Sequence, residues 1–179
     1  MLRHDFQAYL DHRLTAQNPE LELEVISTGG QVILPEAYLR GMKRLFDILC
    51  GRYPELADTF KANHNRAIQQ VHRSAAKALE HAGRSGLKGL PVLGSMKQQG
   101  LLRWLGFEVV ATFSNSPDEL SVRKLAELLN SARNREIAFV AGNLQSGGEA
   151  VARTVAVQAG LPVTILSNFP GSEDHNSTY

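Results

Sequence analysis

Apolar residues return at helical spacing near the start of the chain, where Phe6, Tyr9, Leu10 and Leu14 predict a short amphipathic helix over residues 5–17 that Asn18-Pro19 ends. Leu21, Leu23 and Val25 then alternate with Glu22 and Glu24, the period-two pattern of a strand with one wet face, closed by Gly29-Gly30. Pro35 opens a second helix whose apolar stripe is Tyr38, Met42, Leu45, Phe46 and Leu49, with Gly51 as its expected stop. Pro54 fits the first turn of a third, running to about His81 or Ala82, with Leu56, Phe60, Ala67, Ile68, Val71, Ala75 and Leu79 on its buried face and Gly83, Gly86 and Gly89 closing it. Roughly 28 residues at about 1.5 Å each give a helix of about 42 Å, long enough to serve more than one layer or lobe.

Beyond Gly89 the period changes. Leu90 to Leu93 is a short apolar run, Leu101, Leu102 and Leu105 mark a helix, and Phe107 to Phe113 reads as a buried strand. The alternation repeats with a helix over residues 118–132, a strand from Ile137 to Val140, a helix from Glu149 to Ala159 and a strand from Val163 to Leu166. Four strands alternating with three helices predict an α/β fold with a four-stranded parallel sheet flanked by helices.

Length and composition narrow the class without naming an activity. At 179 residues the chain is one generous domain or two small lobes. A hydrophobic fraction of 43% and a charged fraction of 21% exclude a largely disordered chain, a coiled coil and a collagen-like repeat. Nineteen basic against eighteen acidic residues leave a net charge of +1, spread evenly over both halves, so nucleic acid is not an expected partner. Cys50 is the only cysteine, which excludes an intrachain disulfide and a four-cysteine zinc site. No apolar stretch approaches the length of a membrane span, so no membrane insertion is expected. Arg3, His4 and Asp5 stand where a signal peptide has its apolar core, so no signal peptide is expected within the chain.

Candidate chemistry is sparse. The turn from Gly142 to Gly148 follows a strand and precedes a helix, where backbone amides can receive a phosphate, but it has neither a Walker lysine nor dinucleotide glycine spacing. His64, His72 and His81 share the long helix at spacings of eight and nine residues, and eight residues is about 12 Å of axis, too far for two imidazoles to reach one ion. Ser74, Ser95, Ser114, Ser116, Ser146 and Ser167 carry hydroxyls, none in a nucleophile elbow; Ser95, in Leu93-Gly94-Ser95-Met96-Lys97, comes nearest. The polar run from Gly171 to Tyr179 holds oxygen and nitrogen donors and reads as a polar terminus.

Three stretches carry a resemblance. Val32-Ile33-Leu34-Pro35-Glu36, with Tyr53-Pro54-Glu55 and Phe60-Lys61-Ala62-Asn63 after it, resembles the histidine-x-tryptophan-leucine-aspartate-proline segment and following helices of the periplasmic metal-binding (cluster 9) proteins, the solute-binding components of zinc and manganese ABC importers. Gly106 to Val110 and Glu119 to Leu128 are similar to the C-terminal lobe of that family. Ile137 to Val140 and the Gly160-Leu161-Pro162-Val163 turn continue the likeness. The resemblance implies a remnant of an N-terminal lobe over residues 1–52, a long linking helix over 53–88 and a C-terminal α/β lobe over 89–179, a fragment relative to the family. It further implies a binding protein rather than an enzyme, a periplasmic or extracytoplasmic location, and a membrane permease of an ABC importer as partner.

Family members hold zinc or manganese in the cleft between lobes with imidazoles and a carboxylate. In this chain the corresponding positions fall near Gly30, near Ser95 or Met96, and at Ser167, none a usual ligand, and a further histidine position lies before residue 1. The expectation is therefore the family architecture with lost or altered metal binding, no cofactor, and a cleft lined by Gly30, Ser95, Met96, Gly142, Asn143 and Ser167. Two alternatives remain. One is an α/β enzyme that binds an anion or nucleotide at the Gly142–Gly148 turn. The other is a non-catalytic interaction module that self-associates through the apolar faces of residues 6–14 and 38–49.

Overall fold

Pro35, with its fixed φ and no amide to leave unpaired, starts helix α1 (Pro35–Arg52). The computed structural model describes residues 13–114, 116–145 and 147–168; most of the first predicted helix, Ser146 and the tail from 169 lie outside that set. Helix α1 runs through Gly51, the expected stop, because what ends it is Pro54: the preceding Tyr53 is driven out of the α region, to φ −134° and ψ 68°. A single 3-10 turn, Pro54–Leu56, leads into the long helix α2 (Ala57–Arg84), whose 28 residues amount to about 42 Å. Gly83 does not stop α2. Gly86 does, at φ +67°, where the Leu87 amide reaches back to the Ala82 carbonyl and the Gly86 amide to that of Gly83, the six-to-one and five-to-two bonds of a Schellman cap.

Helices α1 and α2 lie side by side, with the rings of Phe46 and His64 stacked at 4.6 Å between them. The stripe expected to be buried on α2 is only partly so: Val71 is sealed, Phe60, Ala67, Ile68 and Ala75 are half-buried, and Leu56 and Leu79 are 45% and 39% exposed. Helix α1 has 18 residues against 28, so it cannot cover the whole length of its neighbour.

The strand expected over residues 21–25 does not form. Residues 21–28 have no regular secondary structure, Val25 is 71% exposed, and Glu22 bonds Arg52 at the end of α1, 2.7 Å away. Alternation prescribes the local shape of a strand, but the backbone groups of a strand need a neighbouring strand, and among the described residues none lies alongside. The segment is instead tied to α1 by Arg40, whose Nε donates to the Thr28 carbonyl at 2.9 Å.

The remaining chain builds the predicted parallel sheet from β1 (Pro91–Ser95), β2 (Glu108–Phe113), β3 (Phe139–Asn143) and β4 (Val163–Leu166), in the order β2-β1-β3-β4. Between them come α3 (Gln99–Trp104), α4 (Val122–Asn134) and α5 (Gly148–Ala159). The first turn of α4 is secured by Ser121, whose hydroxyl accepts from the Lys124 amide. Near-continuous apolar strands match a sheet covered on both faces. One face packs Leu93, Phe113 and Val140 against Leu128 of α4 and Val151 and Val155 of α5. The other packs Val92 and Ala141 against Leu102 of α3, Phe107 and the Leu87–Leu90 connection. Strand β3 starts two residues later than the pattern predicts and continues through Ala141, Gly142 and Asn143. A Cβ at Gly142 would collide with the Ala152 Cβ of α5 and lie 2.7 Å from the Ile165 side chain, so glycine is what lets α5 settle onto the sheet there.

A cleft at the carboxyl edge of the sheet

Parallel strands end on one edge, and β1, β3 and β4 deliver Ser95, Asn143 and Leu166 to it, with the loops that follow them. The segment 28–33 crosses in front of this edge. It is seated against α3: a Cβ at Gly100 would stand 2.8 Å from the Gln31 side-chain oxygen and 3.4 Å from Leu34. Between segment and edge lies a cleft of about 450 Å³ lined by Thr28, Gly30, Gln31, Val32 and Ile33 on one wall and Lys97 and Asn168 on the other.

Beneath Asn168 lies a network of side-chain amides. Gln98, fully buried, faces three oxygens with its Nε2: Asn143 Oδ1 at 3.0 Å, Asn168 Oδ1 at 3.1 Å and the Leu166 carbonyl at 3.2 Å. Three acceptors around one nitrogen fix the orientation of the amide, since the flipped form would set oxygen against oxygen. The consequence is that Gln98 Oε1 is buried without a hydrogen-bond partner, a cost of about 1–3 kcal/mol. Asn143 passes the chain on, donating from Nδ2 to the Gln145 carbonyl at 2.7 Å. Gln145 then clasps the loop after β4, donating to Ser167 Oγ at 3.1 Å and accepting from the Asn168 amide at 2.9 Å.

The six residues expected around a cleft take different places. Gly30 lines it. Ser95 is fully buried at the end of β1, its hydroxyl accepting from the Lys97 amide at 3.1 Å, while Met96 is 57% exposed. Gly142 is packed under α5, Asn143 is buried in the network, and Ser167 is half-buried against Gln145. Thus Asn143 and Ser167 support the edge, while Lys97, next to Met96, and Asn168, next to Ser167, reach the cleft. Lys97, Gln31 and Asn168 each adjoin a position where the resemblance places a ligand, but neither they nor Gln98 carry imidazole or carboxylate. The available signal was a glutamine opening a short apolar helix directly after a strand.

Two of the described amides of the Gly142–Gly148 turn are already engaged. The Leu144 amide bonds the Leu166 carbonyl at 2.9 Å, the Gly148 amide approaches the Gln145 carbonyl at 3.4 Å, and Glu149, bonded to Arg153, already places a carboxylate in the first turn of α5. On α2, His64 stacks on Phe46, whereas His72 and His81 are exposed. Among the described residues no three of His, Cys, Asp and Glu come together in a group able to hold a metal ion. Among the same residues no helix is long and apolar enough to cross a membrane.

Compared by sequence, the chain matches no protein-family model and no curated protein. Compared by structure, it is similar to ZnuA at 16% identity and a TM-score of 0.70, over 90% of this chain and 67% of that one. It is similar to the SBP FpvC of Pseudomonas aeruginosa in complex with Ni2+, at 18% identity and a TM-score of 0.58, over 75% of this chain and 50% of that one. A Cd-bound periplasmic metal binding protein from Candidatus Liberibacter asiaticus aligns at 14% identity and a TM-score of 0.59, over 76% of this chain and 52% of that one. The chain thus has the fold of these metal-binding periplasmic solute-binding proteins, and it spans about half to two thirds of their length.

Proposed function

We infer that this chain is a solute-capturing module of the ABC-importer type whose cleft takes something other than a bare transition-metal ion. The likeness in fold supports the capturing role, and with it a membrane permease as partner and an extracytoplasmic place of work. The observation that carries the departure from metal is the set of groups lining the cleft. Among the described residues Lys97 is its one ionisable side chain, accompanied by Thr28, Gln31 and Asn168, and none of those residues brings imidazole or carboxylate to it. Zinc and manganese are held by imidazole, thiolate and carboxylate, and an ammonium group in the same cleft repels a dication. Gly30 and Ser167, at positions where the resemblance places ligands, supply no such donor. The alternative of an anion-binding turn at Gly142–Gly148 is disfavoured by amides already engaged and by Glu149.

Amide NMR spectra of the full chain against a panel of small solutes test this. Shifts at residues 28–33, Lys97 and Asn168 are expected. A nucleotide that moves only the amides of residues 142–148 would favour the enzyme reading instead.

A second reading, self-association through the helical half, is favoured by two apolar grooves of about 260 and 350 Å³ that share Met42 and Leu45 of α1. Light scattering across a concentration series is expected to show a mass that rises with concentration; a mass constant at that of one chain removes this reading.

A further inference from the structure

Building on the reading of the cleft as a solute site, we propose that its ligand is a small monocarboxylic acid with an apolar body. The carboxylate is received by Lys97 and Asn168, and the body lies along Val32 and Ile33. Each wall of the cleft supplies half of the case.

On the sheet side the donors are prepared. The backbone around Lys97 is pinned: the Met96 amide bonds the Phe113 carbonyl at 2.9 Å, the Lys97 amide bonds Ser95 Oγ at 3.1 Å, and the Gln98 amide bonds the Ser95 carbonyl at 2.9 Å. The ammonium therefore swings from a fixed root. Among the described residues no carboxylate pairs with it, although Lys43, Lys124, Arg40, Arg52, Arg84, Arg123, Arg135 and Arg153 all have acidic partners. Asn168 has its Oδ1 committed to Gln98 and its backbone amide to Gln145, which leaves the two hydrogens of Nδ2 as its free donors. A cation and a neutral amide donor on one wall, with no competing acid among the described residues, suit an oxyanion.

On the opposite wall the backbone carbonyls of residues 28–31 are already engaged, and Gln31 Oε1 is buried without a partner among the described residues. The carbonyls of Thr28 and Gly29 accept from Arg40, that of Gly30 accepts from Thr28 Oγ1 at 2.7 Å, and that of Gln31 accepts from the Leu34 amide at 2.9 Å. Beyond them this wall carries the side chains of Thr28 and Gln31 and the half-buried apolar pair Val32 and Ile33. An apolar body fits there. One lysine balances one negative charge, and a second charge on the ligand would be desolvated without a partner. At about 450 Å³ the cleft is within the range of small-molecule sites.

The experiment is a titration of the full chain with isovalerate, followed by amide NMR, with isovaleramide as its uncharged match. The acid is expected to shift residues 28–33, Lys97 and Asn168, and the amide to bind at least about tenfold more weakly. Lys97→Gln is expected to lose about tenfold in affinity for the acid and to leave the amide unaffected, while Lys97→Arg keeps most of the affinity. Lys97 is half-buried on a loop, and unchanged spectra away from the cleft verify that the variants fold. Equal binding of acid and amide, or an acid affinity indifferent to Lys97→Gln, overturns the proposal. If the acid leaves the cleft signals still while other solutes move them, the carboxylate fails and the solute site stands. If no solute in the panel moves them, both fail.

Discussion

The sheet half and the helical half of this chain bury their apolar residues very differently. In the sheet half, Val92, Leu93, Phe113, Leu128, Val140 and Val155 are entirely sealed, in two clusters on opposite faces. In the helical half, 28 residues of α2 bury only Val71 and Ala82, and Leu45, Tyr53, Leu56 and Leu79 remain between 39% and 47% exposed. A parallel sheet encloses its own core because crossover helices return to both its faces. A helix pair has only one shared flank, and its other flanks wait for a further layer. The cleft lies where the two halves meet, with Lys97 and Asn168 on the sheet side and its apolar wall on the turn at Val32 and Ile33, next to a segment held by Arg40.

The contrast can be broken by substitutions of graded effect. Phe113→Ala removes a sealed ring from the sheet core and is expected to cost about 3–5 kcal/mol in urea unfolding. Gly142→Ala adds one methyl against Ala152 and Ile165 and is expected to cost about 1–3 kcal/mol by overpacking. Leu56→Ser, on the open flank of the helical half, should change stability by no more than about 0.5 kcal/mol. A cost at Leu56 that rivals Phe113 would mean that the helical half is covered in solution, and combined with a doubled mass it would identify a second chain as the cover.

The sheet half was legible in the sequence because its strands announce themselves twice, by apolar runs and by the helices between them. Val163 to Leu166 forms the expected strand to the residue, and the strand at Phe107 to Phe113 starts one residue late. The apolar run ends the expected strand at Val140, whereas β3 starts two residues later and continues to Asn143; the smallness of Ala141 and Gly142 is what close packing by α5 requires. The false strand at Leu21 to Val25 has the opposite origin, since its alternation is real but its partner is absent from the described residues. The cleft was legible only in part. Gly30 can be placed by resemblance, but Asn168 is held at the cleft by bonds to Gln98 and Gln145 across 70 and 23 residues of chain, and such long-range hydrogen bonds leave no periodic trace.

The groups described around the cleft do not suit a transition-metal ion. Calorimetric titration of the full chain with zinc chloride at neutral pH tests this most directly. No saturable one-to-one binding in the submicromolar range is expected; one-to-one binding in that range, weakened when Asn168 is replaced and tightened by Lys97→Glu, would mean that the cleft holds the ion.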